Sequence, residues 1–356
     1  MTALTLGFIP LTDAAPLAVA EAKGLFAAEG LDVTLQREAS WATIRDKVAV
    51  GAFDGAHMLA PMALAAAIEG TGASPPMLAP LAMAANGAGV TLSNRIVDAL
   101  TPEDWSPRSV SRALARLIAE RRARGEPPLT FAVVFPFSMH NYILRYWLAD
   151  AGIDPDRDVR LVVVPPPRMV DQLLVGLVDG VCVGAPWNAV AVREGLGRTV
   201  LRTSQFWPDG PDKVLGVSAA LARNEPEQLQ ALLRAVVRAQ AWCDEPENRG
   251  ELAALLAQPA YVGAAPEAIT VALSDELVFH RNAAAVPRLA HARWLLSQME
   301  RWNQFGADVD QAAVAAAVYR PDLALAALQA CDLTPATLPT PGLLFDGQPS
   351  SLSSNA

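Results

Sequence analysis

Two polar residues near the start of a helical run are the first candidates for chemistry. In FPFSMHNYILRYW (135–147) Ser138 has the type and place of a helix N-cap, which puts His140 in the first turn of the next helix. Free backbone N–H groups and the positive end of the helix dipole favour an anion there, and histidine can donate a hydrogen bond in either charge state. The run predicts an anion-binding position, with a partly buried histidine bonded to a carbonyl as the alternative.

Lys213 and Trp41 are two further candidates. Lys213 in FWPDGPDKVLGVS comes directly before a strand-like run, and a lysine is a point charge that can meet a small anion. Trp41 in ASWATIRDK stands where a loop meets the start of a helix. A solvated surface lysine and a tryptophan that only packs in the core are the ordinary alternatives, and both stay open.

Catalysis fits these residues poorly. Ser138 and His140 could form a nucleophile and base, but no third, orienting acid is identifiable and no G-x-S-x-G turn is present. The cysteines are three in number and widely spaced, and the four histidines lack metal-ligand spacing. We therefore predict that the chain is not an enzyme and holds no metal or cofactor.

Composition points to a folded, acidic protein. The 356 residues are 52% hydrophobic and 18% charged with a formal net charge of -9, which suits two packed domains and disfavours direct contact with nucleic acid or anionic membranes. The first residues, MTALTLGFIP, enter a strand-like run without the pattern of a signal peptide. On this basis we expect a cytoplasmic location.

The elements that must position these residues alternate between strand and helix. Short β-branched runs such as LDVTLQ, LTFAVVFP and VRLVVVP are separated by helical patterns that end in glycine. This alternation is typical of an α/β fold with a parallel sheet covered by helices on both faces. After about residue 220 the pattern becomes almost purely helical, and the tail TPGLLFDGQPSSLSSNA is expected to be loose.

One phrase of the sequence occurs twice. VGAFDGAHMLAP (50–61) is matched at a constant offset by VGLVDGVCVGAP (175–186), and Asp46 before the first copy is matched by Asp171 before the second. We interpret each copy as a helix, an Asp-Gly turn and a strand, present once in each of two similar lobes. Because ligands bind outside the carboxyl ends of strands, both strand ends should face a shared crevice. A favourable turn used twice for local reasons is the alternative.

Five runs together resemble the nitrate- and bicarbonate-binding proteins of cyanobacterial-type ABC transporters, over roughly residues 3 to 300. They are SWATIRDKVAVGAFDGAHMLAPM, FPFSMHNYILRYWLADAGIDPDRDV, VVVPPPRMV, DGVCVGAPWN and PDKVLGV. The resemblance implies a type II periplasmic-binding-protein fold, with two α/β lobes that close on a ligand about a hinge. We assign 1–94 and 216–356 to lobe I and 95–215 to lobe II.

The resemblance also implies the ligand site. The family's contacts correspond to Trp41, His140, Gly184 and Lys213, with Pro166 and Val183 lining the pocket. Bicarbonate binders have an acidic residue at the position of Lys213 and use calcium, whereas nitrate binders have lysine. We therefore expect nitrate without metal, and we expect Lys213→Ala to abolish binding while leaving the fold intact.

The sequence departs from this family pattern in three places. Nitrate-transport members carry a glutamine after Asn-Gly where this chain has Asn86-Gly87-Ala88, although these three residues remain candidates for ligand binding. Ala185 stands where transporter relatives often have glutamate, and 106–128 looks like an insertion in lobe II. Nitrite or another small anion therefore stays open as the ligand.

Within this family, the chain looks most similar to cytoplasmic nitrate/nitrite sensors of the NasS type, because its first residues enter a strand-like run without the pattern of a signal peptide. The resemblance implies a NasT-like RNA-binding antiterminator of the ANTAR type as partner, released when nitrate closes the cleft. The chain itself would neither contact RNA nor insert into a membrane. The alternatives are the substrate-binding subunit of a nitrate ABC transporter and a sensor of another small anion.

Overall fold

The protein folds into two α/β lobes, each built on one five-stranded sheet. The computed structural model describes residues 2–69, 76–275, 277–306, 308–340 and 342–350. The strands in this part of the chain are β1 Thr2–Phe8, β2 Leu31–Arg37, β3 Gly55–Leu59, β4 Met77–Ala85, β5 Ala88–Ser93, β6 Leu129–Val133, β7 Val159–Val163, β8 Gly180–Gly184, β9 Gly197–Arg202 and β10 Pro211–Ser218.

The two sheets have the same plan. Lobe I has the order β2-β1-β3-β10-β4 and lobe II the order β7-β6-β8-β5-β9. In each sheet one inserted strand, β10 or β5, runs antiparallel to both of its neighbours, whereas the first three strands are parallel. The predicted α/β class is confirmed, and the sheets are mixed rather than purely parallel.

Helices cover both sheets. They are α1 Ala15–Ala22, α2 Leu25–Ala28, α3 Trp41–Ala49, α4 Ala60–Glu69, α5 Asn94–Ala99, α6 Pro107–Ala123, α7 Met139–Asp150, α8 Met169–Leu174, α9 Trp187–Arg193, α10 Thr203–Phe206, α11 Ala219–Asn224, α12 Pro226–Asp244, α13 Arg249–Leu256, α14 Pro266–Asp275, α15 Leu289–Arg301, α16 Gln311–Val318 and α17 Pro321–Ala330. Among the helices described here, none has both the length and the apolar character needed to cross a bilayer.

The inserted strands move the lobe boundaries away from those we predicted. β5 lies in the lobe II sheet although 88–93 were assigned to lobe I, and β10 lies in the lobe I sheet although 211–215 were assigned to lobe II. The crossings therefore fall near 86–87 and 203–210. Nothing in the strand patterns AGVTLS and PDKVLGVS distinguishes the last strand of one lobe from an antiparallel strand inserted into the other.

The doubled phrase marks a hydrogen-bond pair that both lobes repeat. In lobe I the backbone N–H of Thr5 donates to Asp54 Oδ2 at 2.7 Å, and the N–H of Asp54 donates back to the Thr5 carbonyl at 2.9 Å. In lobe II Thr130 and Asp179 make the same two bonds at 2.8 and 2.7 Å. Each aspartate thus fixes the entry of one strand against the next, so the repeat belongs to the sheet architecture and is more than a local turn.

The tail was expected to be loose, and for 342–350 this is wrong. The Phe345 N–H donates to the Phe206 carbonyl at 2.9 Å, and the two rings stack with centroids 5.5 Å apart. Tyr146 donates to Asp346 Oδ2 at 2.8 Å, and Leu344 is buried. Leu344 and Phe345 thus dock this part of the tail on an aromatic cluster, together with the hydrogen bond to Asp346. Residues 351–356 lie outside the described residues.

Candidate functional site

The candidate site is a charged cluster centred on Lys213, which is 1% exposed in the middle of the lobe I sheet. Its Nζ donates to Asp212 Oδ2 at 2.6 Å and lies 2.9 Å from Asp13 Oδ2. Burial alone would lower the pKa of this lysine, but the two carboxylates raise it above the ordinary value. Lys213 is therefore a buried, permanently charged ammonium, and the solvated alternative is excluded.

Asp13 and His57 complete the lobe I part of the cluster. Asp13 lies in the 3₁₀ turn Thr12–Ala14 directly before α1, and its Oδ1 is 2.9 Å from His57 Nε2 on β3. Burial would raise the pKa of Asp13, yet Lys213 and His57 hold it well below the usual range. Burial lowers the pKa of His57, against the opposing effect of Asp13. The cluster thus contains one firmly ionised carboxylate beside a neutral imidazole.

His140 comes from lobe II, and its predicted setting is confirmed. The Oγ of Ser138 caps α7 by accepting from the Asn141 N–H at 3.1 Å, which leaves His140 in the first turn. The imidazole is fully buried, its Nδ1 lies 3.8 Å from Asp212 Oδ1, and neither ring nitrogen has a hydrogen-bond partner among the described residues. Burial and the charge of Lys213 lower its pKa well below the ordinary value, so the ring is neutral.

Trp41 closes the cluster from the side of α3. Its ring lies 5.7 Å from Lys213 Nζ and 5.5 Å from the His57 ring, and it is 1% exposed. Its indole Nε1 is buried without a hydrogen-bond partner in the described part of the chain. Trp41 therefore packs in the core and also lies beside the charged cluster.

The two lobes touch beside this cluster. The Thr12 N–H donates to the Ala185 carbonyl at 2.9 Å, and Trp187 Nε1 donates to the Pro10 carbonyl at 3.2 Å. Gly184, at the end of β8, faces the imidazole, since a Cβ there would stand 3.5 Å from His140 Nε2. This is a closed arrangement, in which Lys213 and His140 are sealed from solvent.

A cleft lies between the two lobes. It has a volume of about 650 Å³ and is walled by Pro10, Arg37 and Glu38 of lobe I and by 163–165, Pro167 and Arg168 of lobe II. Pro166 is buried in the turn beneath this wall. Val183 packs in the core of lobe II, where its carbonyl accepts from Asn188. Contact of Pro166 or Val183 with a ligand therefore stays a prediction.

Asn86, Gly87 and Ala88 lie in the first crossing between the lobes. Asn86 and Gly87 have φ values of 63° and 89°, and a Cβ on Gly87 would approach Leu277 Cδ2 to 2.5 Å, so the backbone itself requires glycine. The Ala88 N–H donates to Thr203 Oγ1 at 3.1 Å. Asn86 Oδ1 is buried without a partner among the described atoms, which keeps this side chain a ligand candidate.

Sequence reasoning missed Asp13, Asp212 and His57. Each lies in a short run that is otherwise mainly apolar or turn-forming: PLTDAAPLAV, WPDGPDKVLG and DGAHMLAP. Buried polar residues must find partners, and that signal could have marked them as a set. In the part of the chain described here, no group of three or more His, Cys, Asp or Glu is arranged to hold a metal ion.

Two similar lobes, two adjacent crossings and a buried polar cluster where the lobes meet define a two-lobed solute-binding protein. The model of the NMT1-like family matches residues 1–257. The chain belongs to the NMT1-like family, and the predicted resemblance is confirmed by its relatives.

Among these relatives is the nitrate/nitrite binding protein NrtA of Synechococcus elongatus, 36% identical over 343 residues that cover 90% of this chain and 76% of NrtA. The nitrate import ATP-binding protein NrtC of Synechocystis is 36% identical over 90% of this chain, and the bicarbonate transport ATP-binding protein CmpC of Synechococcus elongatus is 39% identical over 84%. The chain spans about half of these two longer relatives, 49% of NrtC and 45% of CmpC.

The solved structures agree with this assignment. The crystal structure of the periplasmic nitrate-binding protein NrtA from Synechocystis PCC 6803 superposes with a TM-score of 0.87 at 32% identity, covering 98% of this chain and 94% of NrtA. The alkanesulfonate-binding protein SsuA of Xanthomonas axonopodis has a TM-score of 0.67 at 14% identity, covering 90% and 98%, and supports the fold alone. The predicted two-lobed binding-protein fold is thus confirmed.

Proposed function

We propose that this protein binds nitrate as the solute-binding component of a nitrate uptake system. Its similarity to NrtA supports the uptake role, and the lysine at position 213 favours nitrate over bicarbonate within the resemblance. This reading replaces the sensor as the leading hypothesis, because the relatives named above are transport proteins.

The main support for this proposal is that hydrogen-bond donors without a protein partner in the described part of the chain lie close to one buried ammonium group. Lys213 Nζ has three N–H bonds and two carboxylate neighbours, so one bond is left for a ligand oxygen. Trp41 Nε1 and the neutral imidazole of His140 are buried without partners among the described residues. Nitrate is planar, and a few convergent donors suffice to hold its three oxygens.

The magnitudes are adequate for useful affinity. A hydrogen bond to a charged group contributes about 1.5–3 kcal/mol and a bond between neutral groups about 0.5–1.5 kcal/mol. Micromolar binding requires about 8 kcal/mol, so the exclusion of water on closure, which strengthens these contacts, must supply the remainder.

Calorimetric titration of nitrate into the wild type and into Trp41→Phe tests this site. Phenylalanine keeps an aromatic ring but removes the indole N–H, so we expect the dissociation constant to rise about 3- to 10-fold, the equivalent of one hydrogen bond. Trp147→Phe is the matched control, because Trp147 is equally buried but its Nε1 already donates to the Pro107 carbonyl at 2.7 Å. Affinity that is equal in both variants, or absent from the wild type, would overturn the assignment; nitrite, bicarbonate and sulfate run in parallel give the selectivity.

The cytoplasmic sensor is a second proposal, supported by the resemblance of the quoted runs to NasS-type proteins. In that role the partner is an ANTAR-type antiterminator that binds only the open form of the protein, and nitrate releases this partner by closing the cleft. Fractionation of cells that carry the natural gene separates the two proposals. A cytoplasmic protein that retains the antiterminator on a column and releases it with nitrate would favour the sensor, whereas an exported protein would exclude it.

A further inference from the structure

We propose that the site takes up one proton with each anion it binds, and that Asp212 is the group that accepts this proton; the proposal rests on the nitrate binding proposed above. It follows from the charges sealed together where the lobes meet. Lys213 supplies one positive charge, and Asp13 and Asp212 supply two negative charges. The closed cluster therefore carries a net negative charge before any anion enters.

The other titratable groups that face Asp212 do not change the net charge of the cluster. His57 on β3 and His140 on α7 are both neutral, because burial lowers the pKa of each ring. Cys182 on β8 is fully buried, and burial together with Asp212 raises its thiol pKa, so it stays uncharged. An anion added to this set would lie beside an ionised carboxylate in a buried region of low dielectric constant, where like charges repel far more strongly than in solvent.

The geometry distinguishes Asp212 from Asp13 as the acceptor. Asp13 has an electrostatic partner on each oxygen, His57 on Oδ1 and Lys213 on Oδ2. Asp212 uses only Oδ2 for Lys213, and its Oδ1 is buried without a hydrogen-bond partner among the described atoms. Burial and the charge of Asp13 raise the pKa of Asp212 to about 6, so this carboxyl is the one most easily protonated.

Protonation converts the free oxygen of Asp212 from an acceptor into a donor. The proton comes from bulk water while the lobes are apart, and Oδ1–H can then donate to a nitrate oxygen or to His140 Nδ1, which lies 3.8 Å away. With Asp212 neutral, nitrate bound, Asp13 ionised and Lys213 charged, the net charge is the same as before binding. The anion thus replaces a carboxylate charge instead of adding to it.

Because proton uptake is linked to nitrate binding, the affinity for nitrate must depend on pH. Above the pKa of Asp212 in the free protein, each rise of one pH unit should raise the nitrate dissociation constant by up to about tenfold, because binding must recruit the proton. Below that pKa the proton is already in place and the dissociation constant should level off. A simple ammonium–anion site would show no slope in this range.

Calorimetry of the intact protein measures the proton directly. Nitrate is titrated near pH 7.5 at constant ionic strength in two buffers with different ionisation enthalpies, and the difference in heat gives the number of protons taken up. We expect close to one proton per nitrate, together with the slope between about pH 6 and pH 8. Identical heats and a flat profile would overturn the coupling while leaving nitrate binding intact, whereas no binding at any pH would overturn both.

Asp212→Asn assigns the proton to this residue. The amide is isosteric and uncharged, and its oxygen can still accept from Lys213, so the variant should bind nitrate near pH 8 at least as tightly as the wild type, without proton uptake or slope. Asp98→Asn, on the exposed face of α5, is the matched control and should retain both. If Asp212→Asn binds nitrate but keeps the slope, Asp212 is not the acceptor; if it fails to fold, the wild-type uptake still decides the coupling.

Discussion

The two lobes share one scaffold but divide the chemistry between them. Matched positions lie 125 residues apart, as Asp54 and Asp179 do, and both lobes keep the aspartate bonds that hold their sheets. At the crevice the matched residues differ: Asp13, His57 and Lys213 of lobe I correspond to Ser138, Cys182 and Ala88 of lobe II. The ionised groups of the buried cluster, Lys213, Asp13 and Asp212, belong to lobe I, whereas lobe II contributes a capped helix, a neutral imidazole and a glycine.

This division makes closure electrostatically simple. If both lobes presented ammonium or carboxylate groups, closing would have to remove water from two charged surfaces, and burying unpaired charges is costly. Here Lys213, Asp13 and Asp212 already neutralise one another in part within lobe I, so lobe II can close over them with groups that lose little hydration.

Of the substitutions that test this difference between the lobes, Lys213→Ala should have the largest effect. It gives lobe I the residue that lobe II has at the matched position, Ala88. Nitrate binding should be lost in calorimetry. The earlier expectation of an intact fold needs correction: Asp13 and Asp212 would remain buried without their cation, so we expect the free energy of unfolding to fall by about 3–5 kcal/mol. Urea denaturation measures this.

Lys47→Ala is the control for that variant. Lys47 pairs with Glu38 at 2.5 Å on the surface, where a salt bridge contributes at most about 1 kcal/mol. Adding Asp212→Asn to Lys213→Ala should recover part of the lost stability. An unfolding midpoint of Lys213→Ala equal to that of the wild type would contradict the buried cluster.

The substitutions Asp54→Ala and Asp179→Ala test how much the matched aspartate stabilises the sheet of each lobe. Each removes a carboxylate that accepts a backbone N–H of the neighbouring strand, and bonds to charged groups contribute about 1.5–3 kcal/mol. Asp179 is the more buried and also holds Arg95, so its loss should cost more. The matched controls Asp46→Ala and Asp171→Ala, both highly exposed, should change the urea midpoint little. An unchanged midpoint for Asp54→Ala or Asp179→Ala would contradict the proposed stabilising role of the aspartate in that lobe.

Ser138→Ala probes the lobe II residue that stands in the place of Asp13. Loss of the N-cap should lower the free energy of unfolding by about 1 kcal/mol and weaken nitrate binding about 2- to 5-fold, because the first turn that carries His140 loosens. Ser106→Ala removes the cap of α6, away from the crevice, and should cost similar stability without a change in affinity. Equal affinities in the two variants would mean that lobe II does not position the ligand.

Short sequence patterns were sufficient to predict local structure. The cap at Ser138 and the helix start at Trp41 each depend on a few neighbouring residues, and both are as predicted. The repeat of 50–61 at 175–186 gave the two-lobed plan because its aspartates do the same work in both sheets.

Long-range packing set the limits of prediction. Asp13 and Lys213 are 200 residues apart, and their pairing depends on β10 entering the lobe I sheet, which its own pattern does not indicate. The docking site of the tail is likewise assembled from distant parts of the chain. The Phe345 ring contacts the rings of Tyr146 and Phe206, and these two rings in turn contact Trp294.

The two crossings between the lobes lie side by side. The Asn86 N–H donates to the Gly210 carbonyl at 3.0 Å, and Asn86, Gly87 and Asp209 all have left-handed backbone angles. Because both connections bend at one place, their pivots share a common line. We therefore expect the two connections to bend together about one shared hinge axis when the lobes move apart.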